Sequence, residues 1–224
     1  MGNDAGAQVR AWKLEEERRY QDATIETIEY LGGHERIPKI VEWWEAGTLT
    51  GEALNRLIAE HWDAFESPGR FMSADEWLVL FDDAGFVTDT AGVTRPEAPL
   101  TVYRGAHKGG EWGLSWTTDR NAAAWFARRF LMLADTLGPA FLLSATVPPW
   151  AVLGIFNGRN EAEVVIDASC LEPSQIHAIE ATHPEVELAA LGHRIPEEPD
   201  ARKRVQDRRE ELKAILREPT WTKA

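Results

Sequence analysis

Cysteine occurs once in the 224 residues, at Cys170, so no intrachain disulfide can form. No Cys/His group has the spacing of a zinc site either. Long apolar runs are missing as well: nothing approaches the roughly 20 residues that a membrane helix needs. The opening Met1-Gly2-Asn3-Asp4 does not begin a signal peptide. These absences predict a cytoplasmic chain with no membrane contact, long enough to bury a core without staples. Internal repeats and low-complexity segments are also lacking. His107, His177, His183 and His193 show no two-ligand spacing, so no metal is expected and metal-dependent hydrolysis is disfavoured. Cys170 itself reads as a half-buried apolar residue after a strand.

Positive charge is scarce, with 24 Lys and Arg against 37 Asp and Glu and a net charge of -13. The deficit is uneven. Residues 1–99 hold 20 acids and 9 bases, residues 100–184 hold 8 and 6, and residues 185–224 hold 9 and 9. Such a balance argues against a non-specific grip on nucleic-acid phosphates and suits a cationic partner better.

Helical periodicity fills the N-terminal part. Val9, Trp12, Tyr20, Ile25, Ile28 and Leu31 predict a helix over 7–31, with Gly32-Gly33 as its stop. A second helix is expected to start near Pro38 and to carry Ile40, Val41, Trp43 and Trp44 as far as Gly47. Thr50 could cap a third, through Leu54, Leu57, Ile58, His61, Trp62 and Phe65 to Ser67-Pro68-Gly69. Ser73 to Glu76 reads as the capping box of a fourth, with Trp77, Leu78, Leu80 and Phe81 buried and Gly85 beyond. Trp12, Trp43, Trp44, Trp62 and Trp77 read as core packing, with a ligand groove as the alternative.

The pattern changes after the loop-like stretch Thr88–Pro99. Strand-like runs follow at Leu100–Gly105, Leu114–Thr117, Ala140–Val147, Ala151–Phe156, Glu163–Asp167 and Gln175–Thr182. Asp119 could cap a helix from Arg120 to about Leu137 that buries Ala122, Trp125, Phe126, Phe130 and Leu133. A helical start followed by strands with one packed helix is α+β organisation. The expected domains are a helical lobe at 1–98, a β-rich core at 99–184 and a charged, partly helical extension at 185–224. In that extension Val205, Leu212, Ile215 and Leu216 form a thin stripe that either docks on the body or binds a partner.

Three polar motifs stand at the edges of these strands: Tyr103-Arg104-Gly105, Ser115-Trp116-Thr117 and Glu161-Ala162-Glu163. Strand alternation would put Glu161 and Glu163 on one face, at the mouth of the β-branched run Val164-Val165-Ile166. Carboxylates at a core edge need partners, and Arg104, Ser115 and solvent are the candidates. Phe156-Asn157-Gly158-Arg159-Asn160 leads into the acidic pair with turn-forming residues.

In this order the motifs resemble the Arg, Ser-x-Thr and Glu-x-Glu signature of the arginine-type mono-ADP-ribosyltransferases, most of all compact bacterial and phage members. The resemblance spans about residues 99–183. It implies a core of two small packed β-sheets that uses NAD as co-substrate and no metal. Glu163 would be the catalytic glutamate, Glu161 would engage and deprotonate the acceptor, and Ser115 would orient the acid and the ribose. Arg104 would meet the diphosphate or ribose, Gly105 would let the backbone approach NAD, and Trp116, Thr117 and Phe156 would complete the binding site. Asn157 and Arg159, with Glu161, would recognise the acceptor. The family points to a protein arginine as acceptor, to a toxin or effector role and to a possible neutralising partner protein. The alternatives are modification of RNA or DNA, hydrolysis of NAD, and a non-catalytic binding module.

Overall fold

Apolar residues at helical spacing build the first of the two compact units into which the chain divides, Met1–Ala91 and Gly92–Ala224. The computed structural model describes residues 25–62, 69, 71–159 and 161–217. Of the helix expected over 7–31, Ile25–Glu29 (α1) falls within them. Val9, Trp12 and Tyr20 lie outside the described residues, as do Phe65, Ser67, Pro68 and Asn160.

The second helix, α2 (Gly33–Glu45), begins ahead of its expected start at Pro38. Gly32, extended in the break that follows α1, also opens α2: its N–H donates to the Glu35 carboxylate at 3.0 Å, and its carbonyl accepts from the N–H groups of Glu35 and Arg36. Pro38 forfeits one helical bond close to this end. Thr50 stands at the N-cap of α3 (Gly51–His61), but its side chain makes no capping bond. At α4 (Ala74–Ala84) the capping box forms, with Ser73 N–H donating to Glu76 at 2.7 Å and Glu76 N–H donating to Ser73 Oγ at 3.3 Å. Asn55 Nδ2 then ties α3 to the carbonyls of Ala84 and Phe86, both at 2.9 Å, ahead of the short strand β1 (Val87–Thr88). Large side chains fill the space between these helices. Trp62, Trp77 and Phe81 are fully buried, and the Trp62 ring meets Trp77 edge-on at 5.7 Å and Phe81 at 5.5 Å. Trp43, Trp62 and Trp77 therefore act as core, whereas Trp44 is half-buried and Trp12 lies outside the described residues.

The second unit is β-rich. Its strands are β2 (Leu100–His107), β3 (Ser115–Thr117), β4 (Ala140–Val147), β5 (Val152–Phe156), β6 (Glu163–Ile166) and β7 (His177–Glu180). They lie in the order β5-β6-β3-β2-β4-β7, antiparallel at each of these pairings. With the helices this is an α+β architecture. The two packed sheets that the resemblance implies are instead one hydrogen-bonded order. The physical reason is β3, which pairs with β6 over all three of its residues and with β2 at Tyr103↔Thr117.

Helix α5 (Arg120–Leu131), capped as expected by Asp119 Oδ1 at 2.8 Å from Asn121 N, crosses β2 and β4. Its fully buried face is Ala122, Ala123, Ala124 and Ala127, where Trp125, Phe126, Phe130 and Leu133 are expected. Those aromatics are only half-buried, and Leu133, beyond the helix end, is exposed. Gly105 gives the reason: a Cβ there would lie 2.3 Å from Ala127 N and 2.4 Å from Ala123 O. The helix lies directly on the strand, at a distance that only small residues allow. A short helix α6 (Ala134–Leu137) follows.

The charged tail docks within this unit. Helix α7 (Pro184–Ala190) packs on α5, and α8 (Pro199–Arg217) packs on α7. Leu212 is fully buried, and Arg208 grips Glu187 with Nε at 2.8 Å and Nη2 at 3.3 Å. Among the described residues no helix is long and apolar enough to cross a membrane.

Candidate functional site

Glu163 begins β6 and lies directly across from Thr117 on one side and Phe156 on the other. Glu161 precedes the strand, and between them Ala162 has φ +46°. The two carboxylates thus do not share a side through strand alternation. They do so because a turn with a left-handed alanine folds them together, a conformation that costs a non-glycine residue roughly 1–2 kcal/mol. The strand beside it holds that turn. Thr117 Oγ1 donates to the Glu161 carbonyl at 2.6 Å and accepts from Asp119 N–H at 2.8 Å, while Thr118 N–H donates to the Ala162 carbonyl at 3.1 Å. Thr117 is accordingly buried and fastens the acidic turn.

Both carboxylates are nearly enclosed, with side chains only 12% and 13% exposed. Arg159 bridges them, its Nε 3.5 Å from Glu161 Oε2 and its Nη2 3.8 Å from Glu163 Oε2. The other oxygen of Glu161, Oε1, faces Arg194 Nη2 at 3.6 Å. These are loose, partly solvated pairs, worth about 1 kcal/mol or less each. Two nearly enclosed carboxylates brought together at the start of β6, with Arg159 and Arg194 beside them, mark the pair as a candidate site.

Arg104 is the third component. Its Nε donates to the Gly110 carbonyl at 3.0 Å, and its Nη1 donates to the carbonyl of Ser115. The guanidinium also fills the space a side chain at Gly113 would need, since a Cβ there would lie 2.2 Å from Nη2. Burial pushes the Arg104 pKa down to about 10, against the opposing pull of Glu163 and then Glu111. It therefore stays charged at neutral pH, linked electrostatically to Glu163 while it clamps the glycine-rich turn and the start of β3 to β2.

Ser115 shares a face of β3 with Thr117, two residue pairs along the ladder from Glu163. Trp116 does not line that side. It points to the opposite face, is 2% exposed, and donates its indole N–H to the Gly113 carbonyl at 2.9 Å. Strand alternation thus turns Trp116 away from Glu163, although the expectation placed it beside that residue in the binding site. Gly105 has α5 pressed against it, since a Cβ there would meet Ala127 N and Ala123 O. Phe156 is buried next to Glu163, and Asn157 is exposed in the turn beside Arg159.

Two residues missed in the sequence complete the site. Arg194 comes from the segment after α7 and stacks over Trp125 of α5, its Cζ 4.3 Å from the ring centre. Its neighbour His193 has Nδ1 3.6 Å from Asp119 Oδ2 and a ring 5.8 Å from Trp125. No spacing rule connects Arg194 to Glu161, and only the docking of the tail on α5 brings them together. No protein-family model, no curated protein and no solved structure matches the chain.

Proposed function

We propose that the protein is a mono-ADP-ribosyltransferase that moves ADP-ribose from NAD to an arginine side chain of a protein. The observation that supports this reading is the gathering of the other two motifs around the acidic one: Thr117 meets Glu163 across the ladder, Arg104 acts on it through its charge, and Glu161 and Glu163 share the partner Arg159. NAD, when bound, supplies a bond between ribose and a cationic pyridinium, and its cleavage releases neutral nicotinamide. Glu163 accepts a ribose hydroxyl and stabilises the positive charge that grows on the sugar. Arg104, desolvated yet charged, is the cation for the diphosphate. Glu161 receives the acceptor guanidinium and takes its proton as the new bond to ribose forms. Thr117 keeps the two acids in register by holding the turn.

The test is incubation of the purified protein with labelled NAD and a cell lysate, following nicotinamide release and the protease or nuclease sensitivity of the label. Release with protease-sensitive label is expected. Glu163→Gln should lower release about a thousandfold at an unchanged melting temperature, whereas Glu161→Gln should suppress transfer and leave hydrolysis. Label lost to nuclease would redirect the acceptor to nucleic acid. Equal release by wild type and Glu163→Gln, or none from folded wild type, overturns the reading.

A further inference from the structure

Glu161 has a cation on each oxygen, and the two differ. Arg159, on Oε2, belongs to the same turn and also reaches Glu163. Arg194, on Oε1, comes from the C-terminal segment, and its side chain is 58% exposed against 12% for Glu161. The backbone leading to it is fixed. A Cβ at Gly192 would sit 3.1 Å from Asn121 Nδ2 of α5, and the His193 side chain is 7% exposed beside Asp119. The Arg194 side chain can therefore leave while its backbone stays.

What it would leave behind is a carboxylate oxygen and an indole face, with the guanidinium carbon 4.3 Å from that ring. A planar cation is held well by such a pair, because the fork meets the carboxylate while its face stacks on the aromatic quadrupole. An ammonium satisfies only the charge. We propose that Glu161 Oε1 and Trp125 form a guanidinium-binding subsite, occupied in the resting protein by Arg194 and opened to an incoming arginine when Arg194 swings out. Trp125 is then a specificity-determining residue and Arg194 an internal competitor. The use of this subsite for transfer rests on the function proposed above, but its existence does not.

Calorimetric titration with agmatine, a free guanidinium compound, tests it without any turnover. Removing the occupant restores the competent fraction, so Arg194→Ala should bind agmatine about tenfold more tightly than wild type. Putrescine, which has an amine in place of the fork, should gain much less. In the Arg194→Ala background, Glu161→Gln and Trp125→Leu should each return agmatine affinity to the wild-type level or below, and Arg194→Lys should fall between wild type and Arg194→Ala. Equal agmatine affinity in wild type and folded Arg194→Ala overturns the proposal, as does an equal gain for putrescine. Nicotinamide release, measured separately, keeps the two readings apart. Agmatine binding in the expected pattern without release sinks the transferase and leaves the subsite, while release with unchanged agmatine affinity does the reverse.

Discussion

The two units achieve dense packing by opposite means. In Met1–Ala91 the volume between helices is filled by large rings, with Trp62, Trp77 and Phe81 interlocked edge to face. In Gly92–Ala224 the contact of helix on strand has almost no side chain at all, with Gly105 of β2 beneath Ala123 and Ala127 of α5. The first unit should therefore be sensitive to removal of atoms and the second to their addition. The difference bears on function, because α5 carries Trp125 and follows directly from the strand that fastens Glu161. A helix pressed onto a strand through alanines places its remaining residues with little play.

The largest effect should come from Trp77→Ala. Truncating a fully buried ring leaves a cavity and removes the edge-on partner of Trp62, at a cost of about 4 kcal/mol. Urea denaturation of the variant would measure it. A loss under about 1 kcal/mol would mean that the rings are loosely packed and would remove one half of the comparison.

Gly105→Ala tests the other half, with an expected loss of about 3 kcal/mol, at the upper end for overpacking. The added methyl would meet the backbone of Ala123 and Ala127, which cannot rotate away as a side chain tip could. Because α5 must lift, the variant should also lose agmatine binding in the Arg194→Ala background. Native stability in Gly105→Ala would show that the strand and helix can separate, and would return the glycine to the role expected from its motif.

The same contrast explains what could be read in the sequence. The helices of the first unit obey local rules, and the Ser73/Glu76 box and the apolar period around Trp77 are visible without a fold. One local signal is only half read there: Gly32-Gly33 marks the break after α1, and Glu35 three residues on makes Gly32 the start of α2 as well. In the second unit the element order and the three motifs are legible, since each stands beside a β-branched run. What faces each motif is not. A glycine in a strand does not say whether a ligand or a helix approaches it. Ala162 carries no mark of its positive φ, because alanine has no preference for that region. Trp116 could have been placed by alternation alone, given that Ser115 and Thr117 flank it. Arg194 could not, because its contact with Glu161 exists only once α7 and α5 have packed.

Tail docking itself offers the smallest and most specific test. The guanidinium of Arg208, hydrogen-bonded to Glu187, holds that carboxyl below its ordinary value of 4.5, with Arg128 adding to the effect and burial opposing it. A carboxyl whose folded pKa is depressed contributes stability that is fully present above the unfolded value and is lost as pH falls through the folded one. Protection of the α8 amides against hydrogen exchange, relative to Glu187→Gln, should therefore be constant from neutral pH down to about 5 and converge with that variant at lower pH. The effect should be modest, because Arg208 is partly solvated and Leu212 remains buried in both proteins. Parallel profiles for the two proteins across the range would mean that α8 is held by Leu212 alone. The ion pair would then have no part in fixing the segment from which Arg194 reaches Glu161.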